Sequence, residues 1–133
     1  MTTPGNADSN APQQAGSVLT ILAVDDDALV LMSTSAMIED LGHAVLEASS
    51  AREALEILRK SPNVNLVITD QAMPDMTGVE LAATIRKERP GMPVILATGY
   101  SDLPVGSPNY PMLGKPFTEK DIARAIAEAL GRP

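Results

Sequence analysis

The chain's apolar positions fall into two kinds of pattern, short unbroken runs and stripes at helical spacing, and the two kinds alternate. Val18-Leu19-Thr20-Ile21-Leu22-Ala23-Val24 has the length and continuity of a strand buried on both faces, which predicts strand 1 over Val18–Val24. From about residue 28 to 41, Val30, Thr34, Met37, Ile38 and Leu41 recur at helical spacing, so a helix is expected with Asp27 as its N-cap and Gly42 as its stop. Ala44–Ala48 reads as a short strand 2. Residues 50–60 read as a second helix with Ala51, Ala54, Leu55 and Leu58 facing inward. Val64–Thr69 is the third strand, Gly78–Glu88 the third helix, ended by Arg89-Pro90-Gly91, and Met92–Ala97 the fourth strand. The alternation then falters. Gly99–Pro111 carries Pro104, Gly106, Pro108 and Pro111 and has almost no helical period, so strand 5 is confined to Met112–Gly114. A last helix from about 118 to 130 buries Ile122, Ala125, Ile126, Ala129 and Leu130. Residues 1–17 are rich in Thr, Pro, Gly, Asn, Gln and Ser, without period, and read as a disordered tail or linker.

Strands alternating with helices, the strands nearly all apolar, predict an α/β domain: a parallel sheet covered on both faces, with right-handed crossovers. The length of 133 residues suits one core, and 44% hydrophobic residues suffice to fill it. The absence of cysteine excludes disulfides and thiolate metal sites. A net charge of −7, with one Phe, two Tyr and no Trp, argues against a nucleic-acid surface. No stretch has the length of a membrane span, so the expected compartment is the cytoplasm.

The chemistry concentrates where predicted strands end. Asp25-Asp26-Asp27 follows strand 1, Asp70 follows strand 3, Thr98 follows strand 4 and Lys115 follows strand 5. Open α/β sheets bind ligands outside these carboxyl ends. Crowded carboxylates repel one another unless a cation or a shared proton compensates, and oxygen ligands suit a hard divalent cation such as Mg²⁺. With the Thr98 hydroxyl and the Lys115 ammonium, such a group can hold a phosphoryl unit, and Asp70 is placed to be the nucleophile that receives it.

These stretches resemble the receiver (response-regulator) domains of two-component signalling. They are Ile21-Leu22-Ala23-Val24-Asp25-Asp26-Asp27, Val67 to Gly78, Val94-Ile95-Leu96-Ala97-Thr98-Gly99 and Lys115-Pro116-Phe117, and the likeness covers about residues 18–131. It implies a receiver domain over 18–133, with the flavodoxin-like doubly wound sheet of strand order 2-1-3-4-5. It implies that Asp70 is the phosphoacceptor, that Asp26 and Asp70 bind Mg²⁺ directly with Asp25 acting through water, and that the backbone carbonyl of Ala72 completes the protein ligands. Thr98 is then the switch hydroxyl, Lys115 the partner of the acceptor and of the phosphoryl group, and Lys115-Pro116 a cis peptide. The implied partner is a histidine kinase or a histidine phosphotransfer protein. The implied activity is a regulatory switch with slow self-dephosphorylation, rather than an enzyme of turnover.

The chain departs from the family pattern after strand 4. Met112 stands where the family has its switch aromatic, three residues before the lysine, and Tyr100 is the alternative ring. Thr98-Gly99-Tyr100 resembles a subgroup found among hybrid-kinase and stand-alone receivers. The family's fourth helix is expected to be short or degenerate here, and the 98–115 surface is the expected output face. With no segment after the last helix, the chain reads as a stand-alone regulator or as a receiver from a hybrid kinase. Two rivals stand beside this reading. One is an aspartyl-phosphate-forming hydrolase of the haloacid-dehalogenase type, in which Asp25-Asp26-Asp27 supplies an Asp-x-Asp motif. The other is a receiver-shaped interaction module that needs no phosphorylation. Elsewhere Asp75 reads as a turn residue, His43 as a solvated loop residue, and Met32, Met37, Met73, Met76, Met92 and Met112 as core or loop filler.

Overall fold

In the computed structural model, residues 18–99 and 110–131 are described. Their elements are β1 (Thr20–Val24), α1 (Ala28–Asp40), β2 (Ala44–Ala48), α2 (Ala51–Lys60), β3 (Leu66–Asp70), α3 (Gly78–Glu88), β4 (Val94–Thr98), β5 (Met112–Gly114) and α4 (Glu119–Ala129). The strands form a five-stranded parallel sheet in the order β2-β1-β3-β4-β5. This is the flavodoxin-like topology expected, and its order reverses direction at β1 and β3, the switch point where such sheets bind ligands. The expectations for residues 1–17, for Tyr100 and for a degenerate helix between 100 and 109 lie outside the described residues.

Successive strand residues point to opposite faces, so each strand feeds two cores. Leu22, Val24, Val67, Val94 and Leu96 pack under α2 and α3 with Leu55, Leu58, Leu81 and Ile85. Ile21, Ala23, Leu66, Ile68, Ile95 and Leu113 pack under α1 and α4 with Leu31, Ile38, Ile122 and Ala125. Tyr110, buried just before β5, joins the first core, and the Arg86 guanidinium lies 4.4 Å from its ring centroid.

The bounds of β2, α3 and β5 are those expected, and α2 buries the expected Ala51, Ala54, Leu55 and Leu58. Strands β1, β3 and β4 each begin two residues later than their apolar runs, and Val18 is exposed. At the other end β3 and β4 reach further, because Asp70 pairs with Ala97 and Thr98 with Gly114. Asp70 and Thr98 are therefore the last residues of their strands rather than the first of their loops. Helix α1 is rotated from the expected stripe: Leu31, Thr34, Ser35 and Ile38 are buried, and Val30, Met37 and Leu41 lie at its margin. Thr34 and Ile38 belong to both stripes, whereas Leu31 and Ser35 replace Val30, Met37 and Leu41, and the polarity of Ser35 hides the true face from a hydrophobic reading. Met32, expected as filler, is exposed for the same reason, one residue round from Leu31.

One further expectation is corrected, and another is extended. His43 is not a solvated loop residue: it is half-buried and its Nδ1 accepts the Leu19 N–H at 3.1 Å. Gly42, at φ +94°, turns the chain so that the Ala44 N–H reaches the Leu19 carbonyl at 2.9 Å and His43 caps the ladder beside it. Asp75 does lie in a turn, but its carboxylate also accepts the Arg52 and Ala51 amides at 3.1 and 3.4 Å, capping α2 from the β3–α3 loop. Among the described residues no helix is long and apolar enough to cross a membrane.

Candidate functional site

The site is assembled by the ends of parallel strands. β1 and β3 are neighbours in register, Val24 opposite Thr69, so the residues that follow Val24 lie beside the end of β3. Asp25, Asp26 and Asp70 accordingly meet: one carboxylate oxygen from each lies within 4.8 Å of the others. Asp25 and Asp70 are buried and Asp26 is exposed, so the cluster opens to solvent on the Asp26 side.

Lys115 is the counter-charge. Its amide donates to the Thr98 carbonyl at 2.8 Å, which extends the β4–β5 ladder and aims the lysine across the sheet edge. Its Nζ donates to Asp70 Oδ1 at 2.8 Å and to Asp25 Oδ2 at 3.5 Å. The following Lys115–Pro116 bond is cis.

Burial raises the Asp70 pKa above the usual carboxylate value, and the Asp25 charge adds to this. The Lys115 hydrogen bond and charge, with a hydrogen bond from the Ala72 backbone, oppose the rise without cancelling it. Desolvation lowers the Lys115 pKa, but the bonds to Asp70 and Asp25 outweigh it and the net direction is upward. The lysine is thus held cationic beside an acceptor that its surroundings resist ionising. One ammonium among three carboxylates leaves the edge short of positive charge. An all-oxygen donor set open on one side suits Mg²⁺, a hard cation that keeps several waters.

Asp27, adjacent to the cluster, does not join it. It caps α1, its Oδ1 accepting the Leu29 and Val30 amides at 2.9 and 3.2 Å, and its own N–H donates to Asp25 Oδ1 at 2.9 Å. The cap thereby orients one oxygen of Asp25. Ala72 is exposed in the loop after β3, and Thr98 is buried at the end of β4. Met112 is 41% exposed on β5, one pair below Thr98 on the same sheet face, its partner being Leu96 while Gly114 pairs with Thr98.

Sequence reasoning missed the residues that hold the β3–α3 loop. Gly78 donates its N–H to the Gln71 carbonyl at 3.0 Å, and a Cβ at Gly78 would lie 2.6 Å from the Asp70 carbonyl oxygen. Gln71 is buried, and its Oε1 accepts the Val79 N–H at 2.8 Å. The signal available was weak: an amide side chain directly after Asp70, seven residues before the glycine that opens the next helix.

Residues 21–127 match the family model of the response regulator receiver domain. The chain is 34% identical over 123 residues to a chemotaxis protein CheY homolog of Campylobacter jejuni, covering 85% of this chain and 93% of that one. It is 34% identical over 118 residues to the sensor kinase CckA of Brucella abortus, where it covers 84% of this chain but spans only 12% of the kinase. Among solved structures, a response regulator receiver domain protein from Clostridium thermocellum superposes with a TM-score of 0.78 at 33% identity, covering 86% of this chain and 95% of that one.

Proposed function

Because this chain belongs to the response regulator receiver domain family of two-component signalling, we propose that it is a Mg²⁺-dependent switch that takes a phosphoryl group from a phosphohistidine onto Asp70. The donor is a histidine kinase or a histidine phosphotransfer protein. The observation that carries this reading is Lys115 Nζ, 2.8 Å from Asp70 Oδ1 and 3.5 Å from Asp25 Oδ2, at the rim of a carboxylate cluster open to solvent.

An Asp70 oxygen attacks phosphorus; the new O–P bond forms as the P–N bond to the donor imidazole breaks, and the imidazole leaves with the electron pair. Asp26 and Asp70, Asp25 through water, and the Ala72 carbonyl would hold Mg²⁺. The cation, when bound, neutralises the carboxylates and the incoming phosphoryl oxygens. Lys115, fixed by its backbone bond to Thr98, stays within reach of the phosphoryl group once Asp70 has become an acyl phosphate. The Thr98 hydroxyl supplies a further donor to the same group, so phosphorylation is felt at β4 and β5 together and the 98–115 face becomes the output. A mostly apolar groove of about 440 Å³ between α1 and the segment after β5, lined by Leu29, Val30, Met37, Lys115 and Phe117, shares Lys115 with the site and would give a protein donor a seat.

The test is mass spectrometry after treatment with acetyl phosphate and Mg²⁺. The parent chain is expected to gain about 80 Da, one PO₃H unit, and Asp70→Asn to gain nothing. Labelling that persists in Asp70→Asn overturns the acceptor. Steady turnover of a phosphomonoester would favour the hydrolase reading instead, and a parent chain that takes no label would favour a phosphorylation-independent module.

A further inference from the structure

The loop that carries Ala72 is closed at its neck by a single residue. Gln71 follows the acceptor, and its N–H donates to the Ala97 carbonyl at 2.9 Å, continuing the β3–β4 ladder one step past Asp70. Its carbonyl accepts the Gly78 N–H at 3.0 Å and its side-chain Oε1 accepts the Val79 N–H at 2.8 Å. Gly78 and Val79 open α3, so neither amide has a partner within the helix. The next amide, that of Glu80, is satisfied locally by Thr77 Oγ1 at 3.2 Å. Helix α3 therefore has two independent caps. Thr77 belongs to the helix; Gln71 reaches across from the acceptor strand.

The peptide plane between Gln71 and Ala72 is anchored through its C=O, which accepts the Gly78 N–H. Peptide planes are rigid, so only the φ and ψ of Ala72 remain between this fixed plane and the Ala72 carbonyl. The amide of Gln71 adds a second tether from the same residue to α3. Leucine would fill the same space but leave the Val79 amide unpaired, and glutamate would place another carboxylate beneath the cluster. Glutamine reaches the amide with a neutral acceptor.

We propose that Gln71 is a positioning residue for the metal site: by closing the neck of the 72–77 loop it holds the Ala72 backbone against Asp70 and so sets the affinity for Mg²⁺. This rests on the metal ligands assigned under the proposed function. Gln71 carries no charge, so its replacement changes the geometry of the site and not its electrostatics.

Mg²⁺ titrations read by calorimetry, beside thermal melts, test it on Gln71→Leu, Gln71→Met and Thr77→Ala. The Gln71 variants are expected to bind Mg²⁺ about 10-fold more weakly, the scale of loss when a partner that orients a metal ligand is removed. Their labelling by acetyl phosphate should recover at saturating Mg²⁺. Thr77→Ala, which removes a cap from the same helix, should lower Tm and leave Mg²⁺ affinity unchanged. Gln71→Met keeps the length and bulk of the side chain and decides the matter if Gln71→Leu does not fold. Gln71 variants that melt earlier yet bind Mg²⁺ like the parent overturn the proposal, as does Thr77→Ala weakening Mg²⁺ binding equally. A parent chain that binds no Mg²⁺ overturns the metal assignment itself. A parent that binds Mg²⁺ and labels at Asp70, with the Gln71 variants unaltered, removes only the role of Gln71.

Discussion

At the amino edge of the sheet, polar groups from distant segments meet acceptors and donors within the chain; at the carboxyl edge, three carboxylates gather around one lysine, which pairs with two of them. The Arg89 guanidinium, at the end of α3, donates to the carbonyls of Leu58, Ser61, Pro62 and Val64 at 3.4, 3.2, 2.9 and 3.2 Å. It thus closes the end of α2 and the approach to β3. The first free amides of β1 are capped from both sides, Leu19 by His43 and Thr20 by Asn65 Oδ1 at 2.8 Å. Arg59 and Glu88 form a two-pronged ion pair between α2 and α3, at 3.0 and 2.7 Å. At this edge the polar side chains named are spent on partners within the chain. The carboxyl edge keeps an excess of negative charge among the described residues, which a cation can complete.

Arg89→Ala is the largest break expected in this comparison. It leaves several carbonyls without a charged donor and should lower stability by about 3 kcal/mol, read by denaturant unfolding. Mg²⁺ affinity should not change; if it falls as well, the two edges are coupled and the division between them is wrong. Gly78→Ala strikes the other edge, since the new methyl meets the Asp70 carbonyl oxygen and the Leu96 side chain. A loss of about 1–3 kcal/mol is expected from the forced shift, here accompanied by weaker Mg²⁺ binding. Retention of full Mg²⁺ affinity would show that the close approach of α3 to β3 does not hold the site.

Neighbouring aspartates sharpen the comparison further. Asp26→Ala should weaken Mg²⁺ by no less than the roughly 10–100-fold lost with a ligand's supporting partners, with little change in Tm. Asp27→Ala should instead cost about 0.5–2 kcal/mol of stability through the lost cap, with a smaller effect on Mg²⁺. Equal Mg²⁺ affinities in the two variants would shift the ligand assignment by one residue.

The smallest effect belongs to His43. Partial burial lowers its pKa below the usual imidazole value of about 6.5. The folded chain therefore takes up this proton less readily than the unfolded chain. Its contribution to stability is complete above that value, and is lost as pH falls through it toward the depressed folded pKa. His43→Asn keeps an acceptor for the Leu19 amide and removes the titration, so its Tm should fall less than the parent's between about pH 7 and 5. Parallel pH profiles for the two chains would show that the ladder cap is indifferent to charge.

Much of the carboxyl edge was legible before any coordinates. A parallel sheet sends every strand's carboxyl end to one side, so an acid or a lysine just past an apolar run is already assigned to that edge. Asp25, Asp26, Asp70, Thr98 and Lys115 needed only the order of the runs to be brought together. Asp27 was readable as a cap because capping joins residues two and three apart. The amino edge was not legible, because its bonds join residues far apart in sequence: Arg89 to Leu58 and Val64, His43 to Leu19, Asn65 to Thr20. Nothing in the local pattern at either end of such a bond announces the other.

Sequence alone determined the alternation of strand and helix, the faces of α2, the Asp27 cap of α1 and the gathering of the acids and lysine, which follow from periods of two and 3.6 residues, from capping over two or three residues and from chain direction. Tertiary structure decided the rotation of α1, where Leu31 and Ser35 join the packed stripe, and the uses of His43, Arg89, Asp75 and Gln71. A side chain's period is set by its own backbone, but its hydrogen-bond partner is whichever distant group packing brings within about 3 Å.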